Sequence, residues 1–285
     1  MTPPEILSGA GLGLRIPHIN QILSSKDDPR IQNIRWFEVL VDNWLVDGGY
    51  NRRALTAIAE RFPLVFHGVG LSIGGDHPID YEYLKKIKTL KAETGAVWYS
   101  EHLSFSGNQT IRVPDLLPLP FTTETAEYVA KRIVQVQDFL GEQILIENIS
   151  SYVSASNNEM SEGEFIHYIA KAADCFLLLD LNNAHVNSVN FDTPLASFID
   201  QIPAERVKQI HLAGAEDKGS FLLDAHNHPV AKPVWDLFST YIAKHGHIPT
   251  MIEWDSDLPD FETLMSEREK IEDVYTHDVK KVEMA

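Results

Sequence analysis

Nine residues of this chain carry metal-ligating donor atoms and stand where short apolar runs give out. His67, His102, Glu147, Asp180, His211 and Glu253 each follow such a run, and His185 comes five residues after Asp180. Asp224 and His226 are two apart, so in an extended segment both side chains leave on the same side and can grip one ion. All nine offer nitrogen or oxygen, a set that suits iron, manganese or zinc and disfavours copper(I) or a sulfur-held cluster. Taken singly, each has an ordinary explanation. Asp180 behind Leu177–Leu179 reads as a helix N-cap, a buried histidine as a hydrogen-bonded core group, and Glu147 or Glu253 as the partner of a buried arginine. Together they resist that explanation, because six successive runs all end on ligand types.

Charge sharpens the point. Glu147, Asp180, Asp224 and Glu253 cannot all stay ionised in one cavity without positive charge, and Arg15 is the only cation near a strand end. About two divalent ions would compensate them, and the ligand set can furnish two or three sites of roughly three to five ligands each. Asn148, Asn182 and Asn183 lie beside ligands and are candidates to hydrogen-bond them, although turn formation accounts for them as well. His77, His167, His228, His245, His247 and His277 read as surface, loop or helix residues.

The elements that must position these residues alternate along the chain. Apolar runs at 7–14, 36–41, 64–66, 96–99, 143–146, 177–179, 207–210 and 249–252 read as strands, the three leucines at 177–179 as one buried on both faces. Amphipathic helical patterns separate them at 51–62, 81–93, 123–140, 161–173 and 234–245, with a short one after Pro194. Two long loops, 103–120 and 212–232, interrupt the alternation, and long loops in compact domains tend to be functional. Thr122 or Thr123 caps one helix, and Asp257 or a neighbour caps the last. Eight short strands alternating with helices predict an α/β fold closed as a (β/α)8 barrel, whose sites gather at the C-terminal strand ends. An open doubly wound sheet is disfavoured because Gly11 and Gly13 match only half of the dinucleotide fingerprint.

The 285 residues, 44% hydrophobic and 23% charged, fit one globular domain spanning 1–285, with a charged tail from about 267 expected to be peripheral. With 24 Lys and Arg against 41 Asp and Glu, the net charge of −17 argues against a nucleic-acid partner. Cys175, the only cysteine, opens an apolar run and reads as a buried hydrophobe rather than a nucleophile. With no signal-like N-terminus and no apolar stretch of about 18 residues, a cytoplasmic protein without a membrane partner is expected.

The segments HGVGLSIG from His67, SEHLSFS from Ser100, LIENISSY from Leu145, LDLNNAHVN from Leu179, IHLAGA from Ile210, DAHNHPV from Asp224 and IEWD from Ile252 occur in that order. The chain thereby resembles the multinuclear non-haem iron-dependent oxidative enzymes, a bacterial family long uncharacterised whose studied members include the methanobactin biosynthesis enzyme. The resemblance runs from Gly11 to about Asp255. It implies a TIM barrel akin to xylose isomerase and endonuclease IV, two or three iron ions, and oxidation of cysteines in ribosomally made peptides by dioxygen. It also implies an assignment: His67, His102 and Glu147 hold one iron, and Glu147 bridges to a second held with Asp180, His211 and Glu253. His185, Asp224 and His226 would hold the third. Catalysis would then depend on Glu147, Asp180 and Glu253, with the cysteine thiolate on one iron, dioxygen on another, and hydrogen taken from the cysteine β-carbon. A cysteine-containing precursor peptide and a small leader-binding partner protein are the implied partners. The ligand chemistry leaves two other readings: a zinc or manganese hydrolase or isomerase of the related barrels, and a metal-binding barrel without turnover.

Overall fold

The computed structural model describes residues 7–46, 48–107, 110 and 112–283. Residues 1–6, on which part of the reading of the N-terminus rests, and 284–285 at the end of the charged tail lie outside them. Eight parallel strands close into a barrel: β1 (Ala10–Gly13), β2 (Phe37–Leu40), β3 (Leu64–Gly68), β4 (Tyr99–His102), β5 (Leu145–Glu147), β6 (Phe176–Asp180), β7 (Val207–Leu212) and β8 (Thr250–Ile252), with β1 hydrogen-bonded to both β2 and β8. The main helices are α1 (Gly49–Ala59), α2 (Tyr81–Thr94), α3 (Thr123–Leu140), α4 (Glu162–Ala172), α5 (Leu181–Asn190), α6 (Leu195–Gln201), α7 (Lys232–His245) and α8 (Phe261–Glu283). The fold is thus the expected (β/α)8 barrel. Among the described residues no helix is long and apolar enough to cross a membrane.

Side chains alternate in and out along a strand, so residues two apart share the barrel interior. The period is legible on five strands of the site: Trp36 and Glu38, Val65 and His67, Trp98, Ser100 and His102, Gln209 and His211, Met251 and Glu253. The lower members form a small apolar cluster of Leu7, Trp36, Val65 and Met251 with Val97 and Trp98 packed on it. The main core lies outside the barrel, between sheet and helices. Close packing at the bottom requires a glycine: a Cβ on Gly11 would run into the Trp36 indole.

Local chemistry sets the helix starts. Asp80 and Thr122 accept the backbone N–H of Tyr83 and Thr125, and Ser161 with Glu164 forms a reciprocal capping box on α4. Four expectations need correcting. Ser100, Glu101 and His102 do not follow the fourth strand but belong to it, because the ladder with β5 continues to the His102–Glu147 pair. Asn182 and Asn183 form the first turn of α5 rather than an open Asn-rich turn, since Asp180 caps that helix through the Asn183 N–H at 2.6 Å. The last helix is capped three residues beyond Asp257, by Asp260 on Thr263 N. The charged tail is not peripheral up to Tyr275. Within α8, Arg268 donates to Ala10 O and Asn33 O, Ile271 and Tyr275 are buried, and the Tyr275 hydroxyl meets Thr250 Oγ1 at 2.9 Å. Charge along the sequence hid an amphipathic helix that seals the β1–β8 seam.

Both long loops contain antiparallel hairpins, Phe105–Gly107 with Arg112–Leu117 and Glu216–Asp217 with Leu222–Leu223. They stand at the C-terminal mouth of the barrel, the end to which the strands deliver their polar residues.

Candidate metal centre

Three clusters of ligand atoms, each with all atoms within 4.8 Å of one another, form a continuous chain: His67, His102 and Glu147; Glu147, Asp180, His211 and Glu253; His226, Glu253 and Asp255. Glu147 belongs to the first two and Glu253 to the last two. Glu147 Oε2 lies 3.2 Å from both His67 Nε2 and His102 Nε2, and its Oε1 lies 3.3 Å from His211 Nδ1. Glu253 Oε2 lies 3.0 Å from His211 Nδ1 and 3.4 Å from His226 Nδ1. Two carboxylates are therefore each shared between neighbouring clusters.

Each inner histidine has its far nitrogen tied down, which fixes the nitrogen that faces the cluster. His67 Nδ1 bonds to Ser100 Oγ at 2.8 Å, and that hydroxyl also reaches Phe66 O. His102 Nδ1 donates to Gly68 O at 3.0 Å. His211 is turned the other way, its Nε2 held at 2.8 Å by Glu38 Oε2, so Nδ1 faces inward. Gln209 Nε2 also donates to Glu38, and Trp98 Nε1 donates to Gln209 Oε1, tying the floor of the barrel to the site. Asn148 exchanges bonds with the Asp180 backbone, and Asn183 Nδ2 donates to Asn148 O.

Among the described residues, several buried ligand-type atoms have no hydrogen-bond partner: Glu147 Oε2, Asp180 Oδ2, His211 Nδ1 and His226 Nε2. Such orphans are rare in folded proteins, and three ligand-type atoms of one cluster region, Glu147 Oε2, Asp180 Oδ2 and His211 Nδ1, fit divalent ions. The electrostatics agree. Two like charges 4 Å apart repel by about 4 kcal/mol at an effective dielectric of about 20. Three ionised carboxylates, Glu147, Asp180 and Glu253, would then cost on the order of 10 kcal/mol, comparable with the ~5–15 kcal/mol that holds a domain folded. In the protein alone, protons compensate. Burial and the Glu147 charge hold the Asp180 carboxyl well above its ordinary range. Burial would lower His211 and His102, but the carboxylates around them prevail: Glu38, Glu253 and Glu147 raise His211, and Glu147 and Glu101 push His102 up to about 9. Bound cations would displace these protons.

The outer cluster is built differently. His226 sits in a loop with φ +46°, a conformation costly for a non-glycine residue and common at functional sites. Its Nε2 lies 2.7 Å from Asp224 Oδ1, which accepts from Asn182 Nδ2, while its Nδ1 faces Glu253 and Asp255. Arg15 pairs with Asp255, stands 4.0 Å from Glu253, and donates from Nε to Trp254 O.

The model of the RiPP precursor modification enzyme MbnB/TglH/ChrH family matches residues 9–276. The chain belongs to that family. Members similar to it include a UPF0276 protein of Acaryochloris marina, 40% identical and covering 95% of this chain and 96% of its own, and one of Alcanivorax borkumensis, also 40% identical, covering 93% and 90%. Among solved structures, an L-ribulose 3-epimerase superposes with TM-score 0.62 at 13% identity over 98% of this chain and 95% of its own. Endonuclease IV from Thermus thermophilus superposes with TM-score 0.59 at 15% identity over 96% and 99%. At these identities the likeness extends to the xylose-isomerase-like TIM-barrel fold alone.

The three clusters thus take in His67, His102, Glu147, Asp180, His211, Glu253 and His226. Asp224 touches His226 on the opposite ring edge, and half-buried His185, on α5, joins none of the three clusters. Three participants escaped the sequence reading. Glu38 was visible as a carboxylate inside an apolar strand, a position that demands a buried partner. Asp255 stands two residues beyond Glu253, and Glu101 stands beside His102, where it accepts the His102 N–H and the Tyr99 hydroxyl.

Proposed function

We propose that this RiPP precursor modification enzyme is a multinuclear non-haem iron oxidase that uses dioxygen to modify a cysteine of its precursor peptide. The observation that carries the reading is the pair of shared carboxylates, Glu147 and Glu253, joining three clusters of nitrogen and oxygen donors. His67, His102 and Glu147 would hold one ion, and Glu147, Asp180, His211 and Glu253 a second. A third would sit beside His226 with Glu253 and Asp255, or on its other edge with Asp224 and His185. Iron, when bound, supplies the one-electron chemistry and the affinity for dioxygen that the side chains lack.

The chain's own residues prepare that chemistry. Glu147, Asp180, His67 and His211 are closed off from solvent, whereas His102 and Glu253 keep 9% and 7% of their surface exposed. The substrate thiol therefore approaches along the His102–Glu253 rim, and the buried members exclude water behind it. Ser100, Gly68 O and Glu38 keep the imidazole rings from turning, so the ligands are preorganised. The likeness to epimerases and endonuclease IV gives no reason to carry their activities over.

Metal analysis after anaerobic purification, paired with mass spectrometry of a co-expressed cysteine-containing precursor peptide, tests the reading. Near-stoichiometric iron and a peptide mass change that disappears with Glu147→Ala or Asp180→Ala are expected. Zinc alone, with no dioxygen uptake on adding peptide, would replace oxidation with hydrolytic or isomerase chemistry, and an unchanged peptide on an iron-loaded protein would leave only metal binding.

A further inference from the structure

Outside the barrel, a cavity of about 320 Å³ opens between the loops after β4 and β5 and helices α5 and α6. Leu119, Phe121, Met160 and Phe198 give it apolar walls, and among the described residues no Lys or Arg lines it. Glu162, in the first turn of α4, lines it too. The carboxylate's only hydrogen-bond partner among the described residues is Asn187 Nδ2, at 3.3 and 3.2 Å from its two oxygens. That amide is itself engaged elsewhere, since Asn187 Nδ2 donates to Ile149 O at 2.9 Å and Oδ1 accepts from Ser151 N at 2.7 Å. An ionised carboxylate has about four lone-pair sites, so most of Glu162's accepting capacity is unused. Burial pushes its carboxyl up to about 7, against the smaller opposite effect of Asn187.

We propose that this cavity is a subsite for a cationic side chain, lysine or arginine, of the peptide substrate, with the aliphatic stem on the apolar walls and the charged head on Glu162. Long basic side chains bury their methylenes against apolar surface and bring their charge to an acceptor, which is the combination of surfaces found here. The Glu162 carboxylate, with no Lys or Arg beside it in the lining among the described residues, favours a cation over an anion here. The proposal rests on the reading of the substrate as a peptide, but its test does not require turnover.

The test follows the ¹³C-methyl NMR signal of Met160 in the purified full-length protein during titration with N-acetyl-lysine N-methylamide or its norleucine counterpart. A saturable shift is expected with the lysine amide and at least tenfold weaker binding of the norleucine amide. Glu162→Gln should abolish the difference between them. Ser197→Trp, which fills the cavity from its exposed rim on α6, should abolish both shifts with the far-UV circular dichroism unchanged. Equal binding of the two amides, no saturable shift with either, or an undiminished lysine preference in Glu162→Gln would each overturn the proposal. The probes contain no sulfur and need neither iron nor dioxygen. A lysine-selective cavity in a protein that fails to oxidise its peptide would therefore count against the enzymatic reading and leave the subsite standing.

Discussion

The inner and outer ligand sets are made by different means. His67, His102, Glu147, Asp180 and His211 leave strands or strand ends, are buried, and are braced by fixed groups such as Gly68 O, Ser100 and Glu38. His226 and Asp255 leave loops, lie nearer solvent, and depend on one another and on Arg15. Hydrogen bonds to barrel strands and their neighbours hold the inner set in place. The outer set is held by charge pairs, which solvent weakens. The fold therefore fixes the inner ligands, while the outer ones stand nearer solvent.

Glu147→Ala should break the inner set most severely, because it removes a ligand from two clusters at once. Metal content should collapse by more than the ~10–100-fold affinity loss typical of removing an outer hydrogen-bond partner. Retention of two ions per chain by elemental analysis would show that Glu147 is not the bridge. His211→Ala should lose part of the metal and leave the far-UV circular dichroism nearly intact, since the barrel core does not depend on that ring; global unfolding would make the histidine structural. A milder perturbation, Glu38→Gln, keeps shape but weakens the restraint on His211. Metal titration should show affinity falling ~10–100-fold at one site only.

The outer set is sharpened by a contrast between two substitutions. Because an imidazole cannot offer both nitrogens to one ion, the third metal proposed above would sit on either the Nδ1 or the Nε2 edge of His226. Asp255→Ala should remove it in the first case and His185→Ala in the second, with the inner ions retained in both. Loss of the inner ions on either substitution would end the division into two sets.

The smallest expected effect lies outside both. The carboxyl of Glu162 is raised from an ordinary 4.5 to about 7 by burial, so the folded protein favours its protonated form. The stability this contributes is complete below about 4.5 and is lost as pH rises through about 7. Denaturant titrations of Glu162→Gln should therefore match the parent near pH 4.5 and show the variant more stable at pH 8. The same gain at both pH values would mean that the group does not titrate in this window.

Much of the barrel was legible because its signals are local. Leu177–Leu179 could only be a strand buried on both faces, and Thr122 and Ser161 announced helix starts through hydrogen bonds spanning three residues. The inner site was legible for the same reason, since the end of a parallel barrel strand is a place in space as well as in sequence. Glu38 was not, because its meaning lies in His211, 173 residues away and across the barrel interior. Asp255 was not, because its role depends on a loop conformation at His226 that no local pattern dictates. The charge-rich tail misled because Arg268 and Tyr275 find their acceptors on β1 and β8 only after the barrel has closed.

The sequence by itself determined the alternation, the closure into eight units and the donor set at the strand ends, because period and residue type are local quantities. Only the tertiary structure decided which nitrogen of each histidine faces the centre, which carboxylates are shared, and that His226 turns one edge to Glu253 and Asp255 and the other to Asp224. Those are matters of distance between segments far apart in the chain, set by the stagger of the barrel and the packing beneath it.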